Sequence, residues 1–118
     1  MQHILLTGRL CADPTLGSAQ NAEYARFRLA TSTSRKDEEG NYKANFYTCT
    51  GWTSFVRDRI AKLRKGQLVC VSGTPEINTY RDRSGQERMD VSVNVSKIES
   101  LSPPPAPRTE PDLMDGLD

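Results

Sequence analysis

The hydrophobic period changes abruptly within NFYTCTGWTSFVRDRIAKLRKG (residues 45–66). In its first part, NFYTCTGW, every second side chain lies on the same face of an extended strand. That face carries Phe46, Thr48, Thr50 and Trp52. In the second part the apolar residues follow the i, i+4, i+7 spacing of a helix: Val56, Ile60 and Leu63. Thr53 is a suitable N-cap, and Gly66 after two basic residues is typical of a helix end, so we predict a strand followed by a helix.

Two strand-like stretches precede this segment. Residues 3–12 (HILLTGRLCA) are rich in strand-forming residues and end before DPTLGSAQN (13–21), which is dense in turn formers. Residues 23–32 (EYARFRLATS) alternate between two faces, which predicts a half-buried strand. The inward set is Ala25, Phe27 and Leu29, and the outward set is Tyr24, Arg26 and Arg28. The polar stretch 35–43 contains Gly40-Asn41, which is typical of a hairpin loop.

Strand signals return after the predicted helix. Residues 67–73 (QLVCVSG) are a short apolar run, and residues 77–89 indicate a hairpin with Ser84-Gly85 at its tip. Residues 89–95 alternate, with four side chains predicted to face inward: Met89, Val91, Val93 and Val95. The order of three strands, one helix and two strands predicts an all-β domain with one helix. We interpret it as an OB-fold, a five-stranded Greek-key β-barrel with the helix between strands 3 and 4.

Charge divides the chain into a basic body and an acidic tail. Residues 1–101 hold fifteen basic and eleven acidic side chains, a net charge of +4, whereas residues 102–118 hold one and four, a net charge of −3. This distribution is typical of proteins that bind nucleic acids. The tail has five prolines in its first ten residues and no hydrophobic period. We therefore predict one folded domain over residues 1–101 and a disordered, Pro-rich acidic tail over residues 102–118.

The residues that support catalysis or metal binding are scarce. Cys11, Cys49 and Cys70 are widely spaced and form no C-x-x-C pair, and His3 is the single histidine. The sequence contains no nucleotide-binding loop, nucleophile elbow or paired-carboxylate motif. We predict no metal, no cofactor and no catalytic residue, and therefore a protein that is not an enzyme. The sequence shows no signal peptide or membrane-spanning run, which predicts a cytoplasmic protein with reduced thiols.

A series of short motifs follows one another along the chain. They are LLTGRLCADP (5–14), ARFRLATS (25–32), NFYTCTGW (45–52), LRKG (63–66), VCVSG (69–73) and TYRDRSGQER (79–88). In order and spacing they resemble the bacterial-type single-stranded DNA-binding protein family. The likeness covers residues 1–101, and a tail follows where the family has one.

The resemblance implies an OB-fold that binds single strands by stacking bases on aromatic side chains within a basic groove. The stacking positions of the family correspond here to Phe46, Trp52 and Tyr80. A fourth aromatic position of some members corresponds to Arg35, whose guanidinium can stack on a base or contact a phosphate. The resemblance also implies a homo-tetramer, with a dimer as the alternative, in which first strands pair across dimers.

The residues alone leave open which face of NFYTCTGW is buried. Phe46 and Trp52 are either core side chains or an exposed stacking surface, since Tyr47 and Cys49 on the other face are only mildly apolar. The resemblance favours the exposed surface. The candidates for contact with the DNA backbone are Arg26, Arg28, Arg35, Lys36, Lys43, Arg81, Arg83 and Arg88. Each of these could instead be an ordinary solvated charge.

Two segments depart from the family pattern. TPEINTY (74–80) lacks the basic residues that the family often carries before the hairpin aromatic. The tail ends in DLMDGLD, without the terminal Pro-Phe of the family. Its candidate partner-binding residues are Asp112, Leu113, Met114, Asp115, Leu117 and Asp118. Recruitment of replication or repair proteins therefore does not follow from the resemblance alone, and the altered tail favours a member carried by a phage or another mobile element.

These observations predict a protein that binds and protects single-stranded DNA, without regard to base sequence, in replication, recombination and repair. It is expected in the cytoplasm, associated with the nucleoid. Three alternatives share the fold. They are a primosomal-type accessory protein that acts as a scaffold, an RNA-binding OB module, and a nuclease, for which the sequence shows no carboxylate cluster.

Overall fold

The fold consists of β-strands and a single α-helix, in a computed structural model that describes residues 1–103. The elements of these residues are β1 (Ile4–Leu10), β2 (Thr15–Ala19), β3 (Ala22–Lys36), β4 (Tyr42–Gly51), α1 (Ser54–Ala61), β5 (Leu68–Arg81) and β6 (Glu87–Ser100). Within this part of the chain, no helix combines the length and apolarity that crossing a lipid bilayer requires.

Five of the strands close into a ring, in the order β1–β3–β4–β6–β5 and back to β1. Neighbouring strands are antiparallel except β4 and β6, which are parallel. The ring closes where β1 meets β3, through the pairs Arg9–Ala30 and Leu10–Leu29. The predicted five-stranded barrel is confirmed. Along the chain α1 lies between β4 and β5, which are the third and fourth strands of the ring in sequence order, as expected for an OB-fold.

A sixth strand occupies the segment that the sequence predicts to be a turn. Within residues 13–21, β2 forms a regular antiparallel hairpin with the start of β3. Its two-residue turn is Gln20-Asn21, and both residues have positive φ, 54° and 64°. Such turns usually carry Asn-Gly or Asp-Gly, and without that signal the Pro and Gly of the segment favoured a loop.

The helix begins as predicted but ends earlier. The Thr53 side chain accepts a hydrogen bond from the backbone N–H of Val56 at 3.4 Å, which confirms the N-cap. The helix was expected to reach Gly66, yet it ends at Ala61. The Gly66 N–H instead donates to the Leu10 carbonyl oxygen at 2.9 Å, because the segment after the helix is tied to β1.

The hairpin of β5 and β6 extends beyond the ring, and this overturns one prediction of burial. Val93 and Val95 are buried as expected and Val91 is half-buried, but Met89 is 68% exposed. Met89 pairs with Thr79 near the tip, where no other strand of the ring packs against the hairpin. The alternation in β6 therefore identified correctly which side chains face the barrel interior. It did not show at which residue the barrel ends.

The barrel interior is closed at one end by α1. Val56 and Ile60 of the helix pack over Gly51, where a Cβ would lie 2.6 Å from Val56 Cγ1 and 2.7 Å from Ile60 Cδ1. Gly51 therefore sets how closely the helix approaches β4. The buried apolar residues are Leu10, Ala25, Phe27, Leu29, Cys49, Val56, Ile60, Leu63, Val69, Val71, Val93, Val95 and Ile98.

We expect the thiol of Cys49 to resist iodoacetamide at pH 8 while Cys11 and Cys70 are alkylated. Burial raises the pKa of Cys49 from 9.0 to about 12, although the positive charge of Arg28 opposes the shift. In the unfolded chain the Cys49 thiol ionises at its ordinary pKa of 9.0, so its contribution to the free energy of unfolding is complete below pH 9. That contribution is lost as the pH rises through the folded pKa of about 12. Mass spectrometry of peptides measures the labelling, and a sample in urea, where all three cysteines should react, is the control.

Candidate nucleic-acid interface

One outer face of the barrel collects polar and aromatic side chains from four adjacent strands. Residues that pair directly across a sheet point to the same side, so the register determines which side chains share this face. The pairs include Arg26–Thr50, Arg28–Thr48, Thr48–Ser92, Thr50–Asn94, Asn78–Asp90 and Tyr80–Arg88. We name this surface the aromatic–arginine face, formed by Tyr24, Arg26, Arg28, Phe46, Thr48, Thr50, Trp52, Asn78, Tyr80, Arg88, Asp90, Ser92 and Asn94.

The structure decides which face of the NFYTCTGW strand is exposed. Phe46 is 49% exposed and Trp52 38% exposed, whereas Cys49 is fully buried on the opposite face. Tyr80 of the hairpin is 54% exposed. Large aromatic rings that remain this exposed are available to stack against a flat ligand.

The two threonines between Phe46 and Trp52 hold arginine side chains. The Arg26 Nε donates to the Thr50 hydroxyl at 3.1 Å, and an Arg28 guanidinium nitrogen donates to the Thr48 hydroxyl at 2.8 Å. Arg26 is half-buried and Arg28 is exposed. Guanidinium groups are thereby placed between the aromatic positions, with donors to spare for a phosphate.

Tyr24 enlarges the aromatic surface. Its ring lies 5.4 Å from the Trp52 ring, centroid to centroid, at an interplanar angle of 62°. The guanidinium of Arg26, which is also on β3, lies 4.4 Å from the centroid of the Tyr24 ring. A Cβ at Gly17 would lie 2.6 Å from the Tyr24 hydroxyl, so the glycine makes room for this ring. Sequence reasoning placed Tyr24 on the outer face of β3 but did not include it among the stacking positions, although the alternation contained that signal.

Polar residues of β6 complete the centre of the face. The Trp52 indole N–H donates to the Asn94 side-chain oxygen at 3.3 Å, which fixes the plane of the ring. Arg28 forms an ion pair with Asp90 at 3.3 Å and lies 5.8 Å from the Phe46 centroid. The carboxylate offsets part of the charge of Arg28, so Arg26 is the less compensated of the two central cations.

The sequence of this chain matches a known protein family. A model of the single-strand binding protein family matches residues 1–101. The chain belongs to this family. Its relatives include single-stranded DNA-binding protein B of Bacillus subtilis, which is 29% identical over 103 residues, 86% of this chain and 91% of the relative. Single-stranded DNA-binding protein 2 of Listeria innocua is 28% identical over 104 residues, 87% of this chain but 65% of the relative's length.

Solved structures of single-stranded DNA-binding proteins share the fold. The small single-stranded DNA-binding protein of Streptomyces coelicolor superposes with a TM-score of 0.66 at 23% identity, over 83% of this chain and 92% of that one. The Plasmodium falciparum protein in complex with single-stranded DNA gives a TM-score of 0.68 at 23% identity, over 86% and 96% of the two chains. At this identity the likeness establishes the fold.

Two of the three arginines in the β5–β6 hairpin form hydrogen bonds within the hairpin. Arg88 donates to Asp82 at 2.8 Å, and Arg81 donates to the Gly85 carbonyl oxygen at 3.0 Å. Hydrogen bonds from Ser84 and then from Arg88 lower the pKa of Asp82 from 3.8 to about 2. Arg81 and Arg88 therefore help to shape the hairpin tip, while Arg83 is exposed there.

The cations predicted at the β3–β4 end lie among acidic residues. Lys36 and Lys43 share a shallow groove with three carboxylates, those of Asp37, Glu38 and Glu39. The Lys36 ammonium also lies 5.1 Å from the centre of the Tyr42 ring. Arg35 is exposed in the same segment. This end of the molecule is less purely basic than the sequence-based list of cations suggested.

The candidate partner-binding residues of the tail lie outside the described residues. This group comprises Asp112, Leu113, Met114, Asp115, Leu117 and Asp118. Recruitment of replication or repair proteins through them stays a prediction.

Proposed function

We propose that this chain binds single-stranded DNA without regard to base sequence, by stacking bases on Phe46, Trp52 and Tyr80. The observation that carries the proposal is the alternation of exposed aromatic rings and threonine-held arginines on one face of an OB-fold. Membership of the single-strand binding protein family supports it. Every base has a π-face, so stacking gives affinity without reading sequence.

We propose that the cations of the aromatic–arginine face bind the phosphates of the DNA. Arg26 and Arg28 lie between the rings of Trp52 and Phe46, at the position where a backbone linking two stacked bases would pass. Their orientation by threonine hydroxyls lowers the entropy that is lost when a phosphate binds. At the two ends of the face, the remaining cations supply weaker contacts: Arg35, Lys36, Lys43, Arg81, Arg83 and Arg88.

The proposed role is that of a coat on exposed single strands during replication, recombination and repair, in the cytoplasm at the nucleoid. We assign binding to residues 1–101, since β6 ends at Ser100 and the family model ends at residue 101. Residues 102–118 are then a separate tail. The proposal needs no catalysis and no cofactor, and the relatives carry the names of DNA-binding proteins.

An assembly of several chains is part of this proposal. Along β1, residues Ile4–Arg9 pair with β5 on one side, whereas pairing with β3 on the other side involves Arg9 and Leu10. One edge of β1 from Ile4 to Gly8 is thus left without a strand within the described chain. This edge is suited to antiparallel pairing with the β1 of a second copy, and we propose a homo-tetramer built from such dimers.

A titration with oligo-dT tests the proposal, because Trp52 is the single tryptophan of the chain. We expect strong quenching of its fluorescence by the single strand and little by a duplex of equal length. The logarithm of the binding constant should fall by about 0.7 per neutralised phosphate for each tenfold rise in salt. No binding would contradict the proposal and favour a scaffold, while tighter binding of oligo-rU would assign the face to RNA.

A further inference from the structure

Asp90 places a carboxylate on the surface that we assign to the phosphates of DNA. It pairs with Asn78 across the β5–β6 hairpin, on the same side of the sheet as Tyr80 and Arg88. Its side chain is 32% exposed and forms an ion pair with Arg28. A negative charge at this place repels the phosphates of a bound strand. Neither base stacking nor phosphate binding calls for such a charge, so Asp90 needs a role of its own.

A single guanidinium nitrogen of Arg28 contacts both of its polar partners. Nη1 donates to the Thr48 hydroxyl at 2.8 Å and to Oδ1 of Asp90 at 3.3 Å. The contact with the carboxylate is longer than the roughly 2.7–2.9 Å of a strong charge-assisted hydrogen bond. Exposed ion pairs of this kind contribute little to stability. Thr48 therefore orients Arg28, and Asp90 is the partner that a competing anion can replace.

We propose that the Asp90 carboxylate takes the place of a phosphate on Arg28 and is exchanged for a DNA phosphate when a single strand binds, an exchange that presupposes the proposed function. A phosphate oxygen would accept the N–H group that now donates to Asp90, while the bond to Thr48 keeps the guanidinium in position. One ion pair is broken and another is formed. The freed carboxylate stays close to the strand, so it lowers the affinity and speeds release.

The exchange makes the two central cations of the aromatic–arginine face unequal. Arg26 donates to a threonine hydroxyl at 3.1 Å, and no carboxylate of residues 1–103 forms an ion pair with it. Arg28 lies 5.8 Å from the centre of the Phe46 ring and is paired with Asp90. A phosphate can therefore bind Arg26 at once, but it reaches Arg28 only by displacing the carboxylate. Stacking on Phe46 and the exchange at Arg28 occur side by side.

Two other roles for Asp90 predict effects of the opposite sign. If Asp90 held Arg28 in the geometry that DNA needs, its removal would weaken binding, but the shorter bond to Thr48 already orients the guanidinium. If Asp90 accepted hydrogen bonds from the amino groups of bases, its removal would weaken cytosine-rich strands and spare oligo-dT, since thymine has no amino group. The exchange alone predicts tighter binding of oligo-dT once the carboxylate is removed.

The substitution Asp90→Asn tests the exchange in the full-length chain, because it removes the charge and keeps the shape of the side chain. We expect oligo-dT to bind about fivefold more tightly and to dissociate more slowly into an excess of unlabelled strand. The salt slope should steepen by about 0.7, since no freed carboxylate takes up a cation on binding. Fluorescence anisotropy of a labelled oligonucleotide measures all three. An unchanged or lower affinity would overturn the proposal.

Glu76→Gln supplies the matched control. Glu76 is exposed and pairs with Ser92, so it faces the same side of the sheet as Asp90. It takes part in none of the ion pairs found in residues 1–103. This variant loses the same charge without freeing an arginine, and the affinity for oligo-dT should rise by less than about twofold, because salt screens the remaining repulsion. Equal gains in both variants would mean general repulsion and would refute the exchange.

A double-mutant cycle with Arg28→Gln shows whether Asp90 acts through Arg28. Arg28→Gln alone should weaken the binding of oligo-dT, and Asp90→Asn should then add little, because the arginine that it would free is gone. The full fivefold gain in the absence of Arg28 would overturn the proposal. An unmodified chain that does not bind oligo-dT would refute the proposed function itself, whereas normal binding with no effect of Asp90→Asn would refute the exchange alone.

Discussion

Replacing Trp52 with alanine is expected to weaken the binding of oligo-dT about 5- to 150-fold, because one base–aromatic stack contributes about 1–3 kcal/mol. Trp52 lies on the aromatic–arginine face, with its edge-to-face neighbour Tyr24 and its indole hydrogen bond to Asn94. These contacts fix the ring before a base arrives, so little entropy is lost on stacking. Fluorescence anisotropy of a labelled oligonucleotide measures the affinity.

The matched control for this substitution is Phe55→Ala. Phe55 is also an exposed aromatic residue, 65% exposed, but it lies on α1 outside the aromatic–arginine face. Its replacement should leave the affinity for oligo-dT nearly unchanged. A Trp52→Ala protein that is folded and binds as tightly as the unmodified chain would place the stacking surface elsewhere.

Replacing Leu29 with alanine should lower the free energy of unfolding by about 2–5 kcal/mol, the range for a large aliphatic side chain in a packed core. Leu29 is fully buried, and it pairs with Leu10 at the closure of the ring and with Tyr47 on β4. The cavity would therefore open where three strands of the barrel meet. Urea denaturation followed by circular dichroism measures the change.

Leu16→Ala serves as the comparison, because Leu16 of β2 is 68% exposed and β2 lies outside the ring. It should change the free energy of unfolding by less than about 0.5 kcal/mol, as most surface substitutions do. A similar loss in both variants would contradict the view that the ring carries the core and β2 is an addition to it.

Alternation along single strands predicted much of this fold and site. It placed Phe27 and Leu29 inside and Arg26 and Arg28 outside, and the helical spacing placed α1 between the correct strands. These predictions succeeded because each depends on neighbours that are close in the sequence. The buried position of Leu63 was anticipated too, although the helix ends before it.

The errors and omissions concern contacts between distant segments. That Thr48 and Thr50 hold arginines depends on the register of β3 against β4, which no local pattern reveals. Tyr24 becomes part of the aromatic surface for the same reason, since Trp52 reaches it from another strand. The exposure of Met89 depends on where the ring ends relative to the hairpin, and that is a property of the whole barrel.

The position of β1 in the ring sets the order in which the barrel can form. Its main partner is β5, so that Ile4 pairs with Gly73, and its pairing with β3 involves two residues. Contacts between segments so far apart in the chain make folding slow, since a long loop must close before they form. A growing chain that has not yet produced β5 thus holds β1 with most of its backbone groups unpaired. Such a chain would depend on completion of its second half to bury Leu10 and close the barrel.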